Sequence, residues 1–150
     1  MSRLLLVSLL TAVVALPAQA EDVTYRKTIR PLWQAKCSMC HGAESPTLGE
    51  FDGNKDKFIA MAKGPRMDSY ADLLFFVAWP DTGAIMRRLD DGKNTKDGKP
   101  GNMYVNLGAT EAERQSNLNL FKAWIGEGAW VLKKRDAISK EELLKIKAKY

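Results

Sequence analysis

The sequence is short of the residues that build polydentate metal sites. Its 150 residues include one histidine, His41, and two cysteines, Cys37 and Cys40. One imidazole excludes any centre that needs two. Two thiols and one imidazole also fall short of the four ligands of a structural zinc site, so Asp or Glu would have to complete it. Past residue 16 there is no long apolar run, which leaves the remaining chain without a membrane span. No internal repeat is apparent. No basic stripe with interleaved aromatics occurs either, which argues against a nucleic-acid footprint. An apolar content of 45% with 27% charged residues supports a packed core and not disorder. At this length one compact domain is expected.

The scarce residues stand together. Cys37-Ser38-Met39-Cys40-His41 reads Cys-x-x-Cys-His, the pattern of covalent haem attachment. On a helical turn Cys37 and Cys40 are three apart and face one side. Each thiol can then add to one vinyl group of a single porphyrin. His41 follows at once, so its imidazole can reach the iron as proximal ligand. Gly42 lets the chain turn away from the ring without a side chain. Both thiols would be consumed, leaving none for a disulfide. A redox dithiol is the competing reading, but it calls for a βαβ setting that the sequence does not offer.

Residues 1–20 read as a cleaved secretory signal. Arg3 precedes an apolar run from Leu4 to Leu16, followed by Pro17 and Ala18-Gln19-Ala20. Covalent haem attachment in bacteria follows export, so signal and motif predict each other. Removal of Arg3 lowers the formal net charge from +5 to +4. That modest excess suits weak steering toward acidic partners.

The remaining chain reads as helices. Val23 to Tyr25 is expected to be extended or a short turn. Pro31 suits a helix start, so the first helix is placed from about Arg30 into the haem motif. Residues 43–57 read as loop, with a carbonyl near Pro46 as the expected acceptor for the His41 ring N–H. Asp52 to Asp56 lacks the Gly and Glu of a calcium loop and reads as a turn. A short helix over 56–63 stops at Gly64-Pro65. A second begins near Ser69, and its run from Leu73 to Trp79 is apolar all round, which predicts burial until Pro80 ends it. Gly83 to Leu89 predicts one or two further turns. The polar connection over 90–108 is long enough to be functional or mobile. Thr110 and Glu113 form a capping box that opens the clearest helix, over 110–126, with Leu118, Leu120, Phe121, Trp124 and Ile125 on a wide apolar face. Trp130 and Val131 fold back as a flap. Ser139 with Glu142 starts a short helix in a basic extension, 131–150.

The distal ligand decides the chemistry at the iron. With His41 alone, bis-His ligation is excluded, and thioether sulfur is the common alternative. Met39 sits within the motif on the proximal side. Met61 and Met67 flank a helix and a turn. Met86 has apolar neighbours and suits core packing. Met103, in a Gly-rich loop before the clearest helix, is the favoured ligand and Met86 its rival.

The order of these parts resembles a class I monohaem cytochrome c: signal, helix, Cys-x-x-Cys-His-Gly, buried middle helix, Met loop, amphipathic last helix. The stretch Leu120-Phe121-x-x-Trp124-Ile125-x-x-Gly128-Ala129 is similar to the end of many bacterial members. Ile85 to Asp90 and Gly101-Asn102-Met103-Tyr104 resemble periplasmic monohaem cytochromes of the PccH kind. The resemblance implies an all-α domain over 21–130 around one covalently bound haem c, with the first and last core helices in contact. It also implies Cys37 and Cys40 as anchors, His41 and Met103 as iron ligands, and a periplasmic one-electron carrier that is not an enzyme. Donors and acceptors with acidic docking surfaces would be its partners. The rival function is a haem-based ligand binder or sensor with an open distal site. A peroxidase-like enzyme lacks an evident distal acid–base pair.

Overall fold

The computed structural model describes residues 22–150, so the expected signal segment lies outside the described residues. The described chain is helical, with no strand. Its α-helices are α1 (Arg30–Lys36), α2 (Ser38–His41), α3 (Leu48–Gly53), α4 (Lys55–Ala60), α5 (Tyr70–Val77), α6 (Ala84–Leu89), α7 (Glu111–Ile125) and α8 (Lys140–Leu143). A π-helical turn, Tyr25–Ile29, leads into α1, and a 3-10 turn, Tyr104–Leu107, precedes α7. The all-α class agrees with the reading above.

Local chemistry explains the helix starts. Pro31 stands in the first turn of α1, where no N–H is needed. The Thr24 side chain caps the π turn, a turn stronger than the sequence suggested. Ser69 accepts the Asp72 N–H at the head of α5, and Thr110 accepts the Glu113 N–H at the head of α7. The Glu113 carboxylate reaches back one residue further than a capping box requires, to the Ala109 N–H at 2.8 Å. Helix α3 falls within the expected loop: Thr47 and Glu50 form a full capping box there, hidden among turn-forming neighbours.

The core joins the early and late segments of the described residues. Tyr25 lies 6.4 Å from Trp124 at the end of α7. At the other end of this contact, Lys36 pairs with Glu113 at 2.5 Å in the first turn of α7. Leu118, Phe121, Trp124 and Ile125 are buried, as the α7 periodicity predicts, with Leu120 partly so. Helix α5 departs from expectation. Leu73, Phe76 and Val77 are buried, but Phe75 and, beyond the helix end, Trp79 are exposed. The Trp79 ring is covered on one face by the Arg135 guanidinium, 4.8 Å from its centroid.

The stretch 131–150 contains the expected short helix, α8, capped by Ser139 and Glu142. It then returns to the core. Lys147 N–H donates to Ile125 O, and Tyr25 and Arg26 N–H donate to Lys149 and Tyr150 carbonyls. The Trp124 indole N–H and the Tyr70 hydroxyl donate to Lys149 O (2.8 Å) and Ala148 O (2.7 Å). Tyr150 stacks on Tyr25 with centroids 5.9 Å apart. Truncation after residue 145 is expected to cost about 3 kcal/mol or more, because two core donors lose their acceptors as the Tyr150 ring is removed. The denaturant midpoint of the haem-loaded protein measures this.

Candidate haem-attachment site

Helix α1 delivers the cysteines. Cys37 N–H closes its last turn on Trp33 O at 2.8 Å. The chain then winds once more through α2, with Cys40 and His41 N–H both donating to Cys37 O. All three motif residues therefore share one turn and are partly buried. Met39, between the cysteines, is 86% exposed and points away from the core. Gly42 has a further reason to be glycine: a Cβ there would overlap the Ser38 carbonyl of the same turn.

A strap from residue 63 to 67 crosses this turn. Gly64 N–H donates to Cys40 O at 2.8 Å, Met67 N–H to His41 O at 2.9 Å, and Arg66 N–H to Pro46 O at 2.7 Å. Between these bonds, His41 Nδ1 lies 2.8 Å from Pro65 O. The expected acceptor near Pro46 is thus replaced by Pro65, because the strap carries its own carbonyl across the imidazole while Pro46 holds the strap. A carbonyl can only accept, so Nδ1 carries the proton and Nε2 presents its lone pair. Burial pushes the His41 pKa down against the opposing pull of the Pro65 bond, favouring the neutral imidazole that an iron needs. Gly64 leaves the ring its space, since a Cβ there would overlap His41.

The Cys37 thiol does not suit a redox dithiol. Burial, and secondarily Cys40, push the Cys37 pKa up to about 11, whereas reactive Cys-x-x-Cys thiols are held low. Among the described residues no three His, Cys, Asp or Glu converge as a metal cage, which counts against the zinc reading. A haem fits better. Trp33 is buried four residues before Cys37, and its Nε1 is the buried side-chain polar atom left without a partner among the described residues. An unpaired buried donor costs about 1–3 kcal/mol. A porphyrin carrying carboxylates brings acceptors of the kind that it lacks.

The methionines are separated by environment. Met61 is exposed, and Met67 is tied by its backbone to His41. Met86 is fully buried among core side chains. Met103 is partly buried at the core's edge, and its sulfur accepts from Asn106 Nδ2 at 3.5 Å. The connection that carries it is well bonded. Met103 N–H donates to Arg88 O and Gly101 N–H to Asp90 O, at 3.0 and 2.8 Å. A Cβ on Gly101 would overlap the Arg87 and Arg88 carbonyls, so glycine is required where the loop passes α6.

Asp91 fastens the same connection to α7. Its side chain, 2% exposed, accepts from Lys93 Nζ at 2.8 Å and from Gln115 Nε2 at 3.0 Å. Burial alone would raise its pKa, but the Lys93 and Gln115 bonds outweigh it and hold the group at about 2, against an ordinary 3.8. The folded value is the lower one. Asp91 therefore contributes stability that is fully present above pH about 4 and lost as pH falls through 2. Asp91→Asn is expected to remove about 2 kcal/mol at neutral pH and much less near pH 2, read by thermal unfolding across that range.

A family model described as PccH cytochrome c matches residues 24–150. The solved structure of monohaem cytochrome PccH from Geobacter sulfurreducens is 55% identical in sequence, with a TM-score of 0.79. That match covers 86% of this chain and 99% of that one. No curated protein matches.

Proposed function

The chain belongs to the PccH cytochrome c family and carries one covalently attached haem c, and from that premise we propose that it is a periplasmic one-electron carrier with His41 and Met103 as axial ligands. The haem supplies reversible ferric–ferrous exchange. The observation that carries the reading is the His41–Pro65 hydrogen bond, which fixes the tautomer that leaves Nε2 for iron. Cys37 and Cys40 anchor the group beside it. Met103 is the thioether offered from a well-bonded loop, whereas Met86 is needed by the core. A neutral sulfur ligand favours the ferrous state and raises the potential.

Residues 1–20 act in this reading as the export signal, and the mature chain begins at Glu21. An intact mass equal to residues 21–150 plus one haem, with a reductive titration taking up one electron, would support it. A mass that retains residues 1–20, or uptake of two electrons, would refute it. The polypeptide's net charge of +4 after removal of Arg3, lowered further by the two haem propionates, leaves a modest positive excess that weakly steers the protein toward acidic redox partners. Its rate of electron exchange with such a partner is expected to fall as salt rises, measured by stopped flow. A salt-independent rate would contradict that preference.

A further inference from the structure

We infer that Asp90 is a positioning residue for Met103, acting as a buried bolt between the distal-ligand loop and the C-terminal flap. The inference rests on Met103 being the distal ligand.

Asp90 closes α6, with its N–H on Met86 O, and has no exposed surface. A carboxylate so placed demands partners for both oxygens. Oδ1 accepts the backbone N–H groups of Gly92 (2.8 Å) and Asn94 (3.2 Å). Oδ2 accepts Asn94 Nδ2 (2.7 Å) and the Trp130 indole N–H (2.8 Å). Three of these four donors curl the connection round the carboxylate. The fourth comes from 40 residues away, on the flap beyond α7.

The backbone of the same residue holds the far end of the loop. Gly101 N–H donates to Asp90 O, and Met103 N–H to Arg88 O two residues earlier. One short stretch thus curls the polar connection with its side chain, grips its return with its carbonyls, and is fixed from outside by Trp130. The twelve residues between Asp90 and Met103 gain from this a defined path that their polar, glycine-rich sequence does not impose. Local opening that frees Met103 must break these bonds. Loosening them is then expected to let the sulfur leave the iron more often.

The test uses the haem-loaded protein and reads carbon monoxide uptake by the ferrous form, which requires the sulfur to leave. Trp130→Phe keeps an aromatic ring and removes one donor from Oδ2, so uptake is expected to quicken about fivefold, the equivalent of one ordinary hydrogen bond. Asp90→Asn places an N–H₂ against existing donors and is expected to exceed that. Tyr70→Phe removes a hydrogen bond of similar length, to Ala148 O, that is not among the bonds of Asp90 or of the connection it holds. It is expected to lower the denaturant midpoint without quickening uptake. If Asp90→Asn does not fold, Trp130→Phe and Tyr70→Phe still decide the matter. Uptake unchanged in Trp130→Phe, or quickened equally in Tyr70→Phe, overturns the role of Asp90 and leaves Met103 ligation standing. Fast uptake by the unmodified protein overturns both.

Discussion

Met103→Ala is expected to abolish the sulfur-to-ferric-iron absorption band and to lower the reduction potential. Thioether sulfur is a soft, neutral donor that favours ferrous iron. Water or a lysine taking its place favours the ferric state. The expected fall is a tenth or more of the roughly 0.8 V that axial ligands span. The fold should survive the substitution, because the loop is held through main-chain atoms: Met103 N–H on Arg88 O and Gly101 N–H on Asp90 O. Met86→Ala supplies the opposite signature. Met86 is fully buried in the core, so its truncation should cost about 2–5 kcal/mol while the band remains. A band that survived in Met103→Ala and vanished in Met86→Ala would exchange the two assignments.

Gly64→Ala is expected to disturb the proximal side just as strongly. The added methyl overlaps the His41 imidazole. Each party is held by a hydrogen bond. Gly64 is tied to Cys40 O through its N–H, and the ring is tied to Pro65 O through Nδ1. Displacing the ring breaks the bond that sets its tautomer and, with His41 as the proposed proximal ligand, would turn Nε2 away from an iron. Loss of such an outer partner weakens a metal–histidine bond by roughly 10- to 100-fold. The measurement is the fraction of low-spin iron by electron paramagnetic resonance at unchanged covalent haem content. Gly53→Ala is the control. A Cβ there meets open space, so only a small effect on helix α3 is expected.

Much of the site is legible in the chain because its chemistry is local. Two thioethers and an imidazole on one porphyrin demand a fixed spacing, and Cys37, Cys40 and His41 display it in five residues. The starts of α5, α7 and α8 are legible for a similar reason: Ser69, Thr110 and Ser139 each cap through a side chain three residues from its donor. The strap is different. Its acceptor for His41 is a main-chain carbonyl, which every residue possesses, so nothing in Pro65 distinguishes it from Pro46 until the 63–67 segment folds across the motif. The return of the tail is hidden in the same way, since Ala148 and Lys149 contribute carbonyls and not side chains. Asp90 shows a third kind of concealment. Asp90-Asp91-Gly92 reads as the opening of a long polar connection, and only the burial of Asp90 and its bond from Trp130 reveal a hub. The run from Leu73 to Trp79 reads as buried on every side because it has no polar residue to mark the face toward water, and Phe75 lies there.

The most direct test of His41 and Met103 ligation is one pair of optical spectra, oxidised and reduced, of the mature protein from a host that attaches haem to exported chains. The account predicts low-spin iron in both states, a sulfur-to-iron band in the ferric spectrum alone, and a ferrous spectrum that changes only slowly under carbon monoxide. High-spin iron with immediate carbon monoxide binding would contradict it and indicate an open distal site.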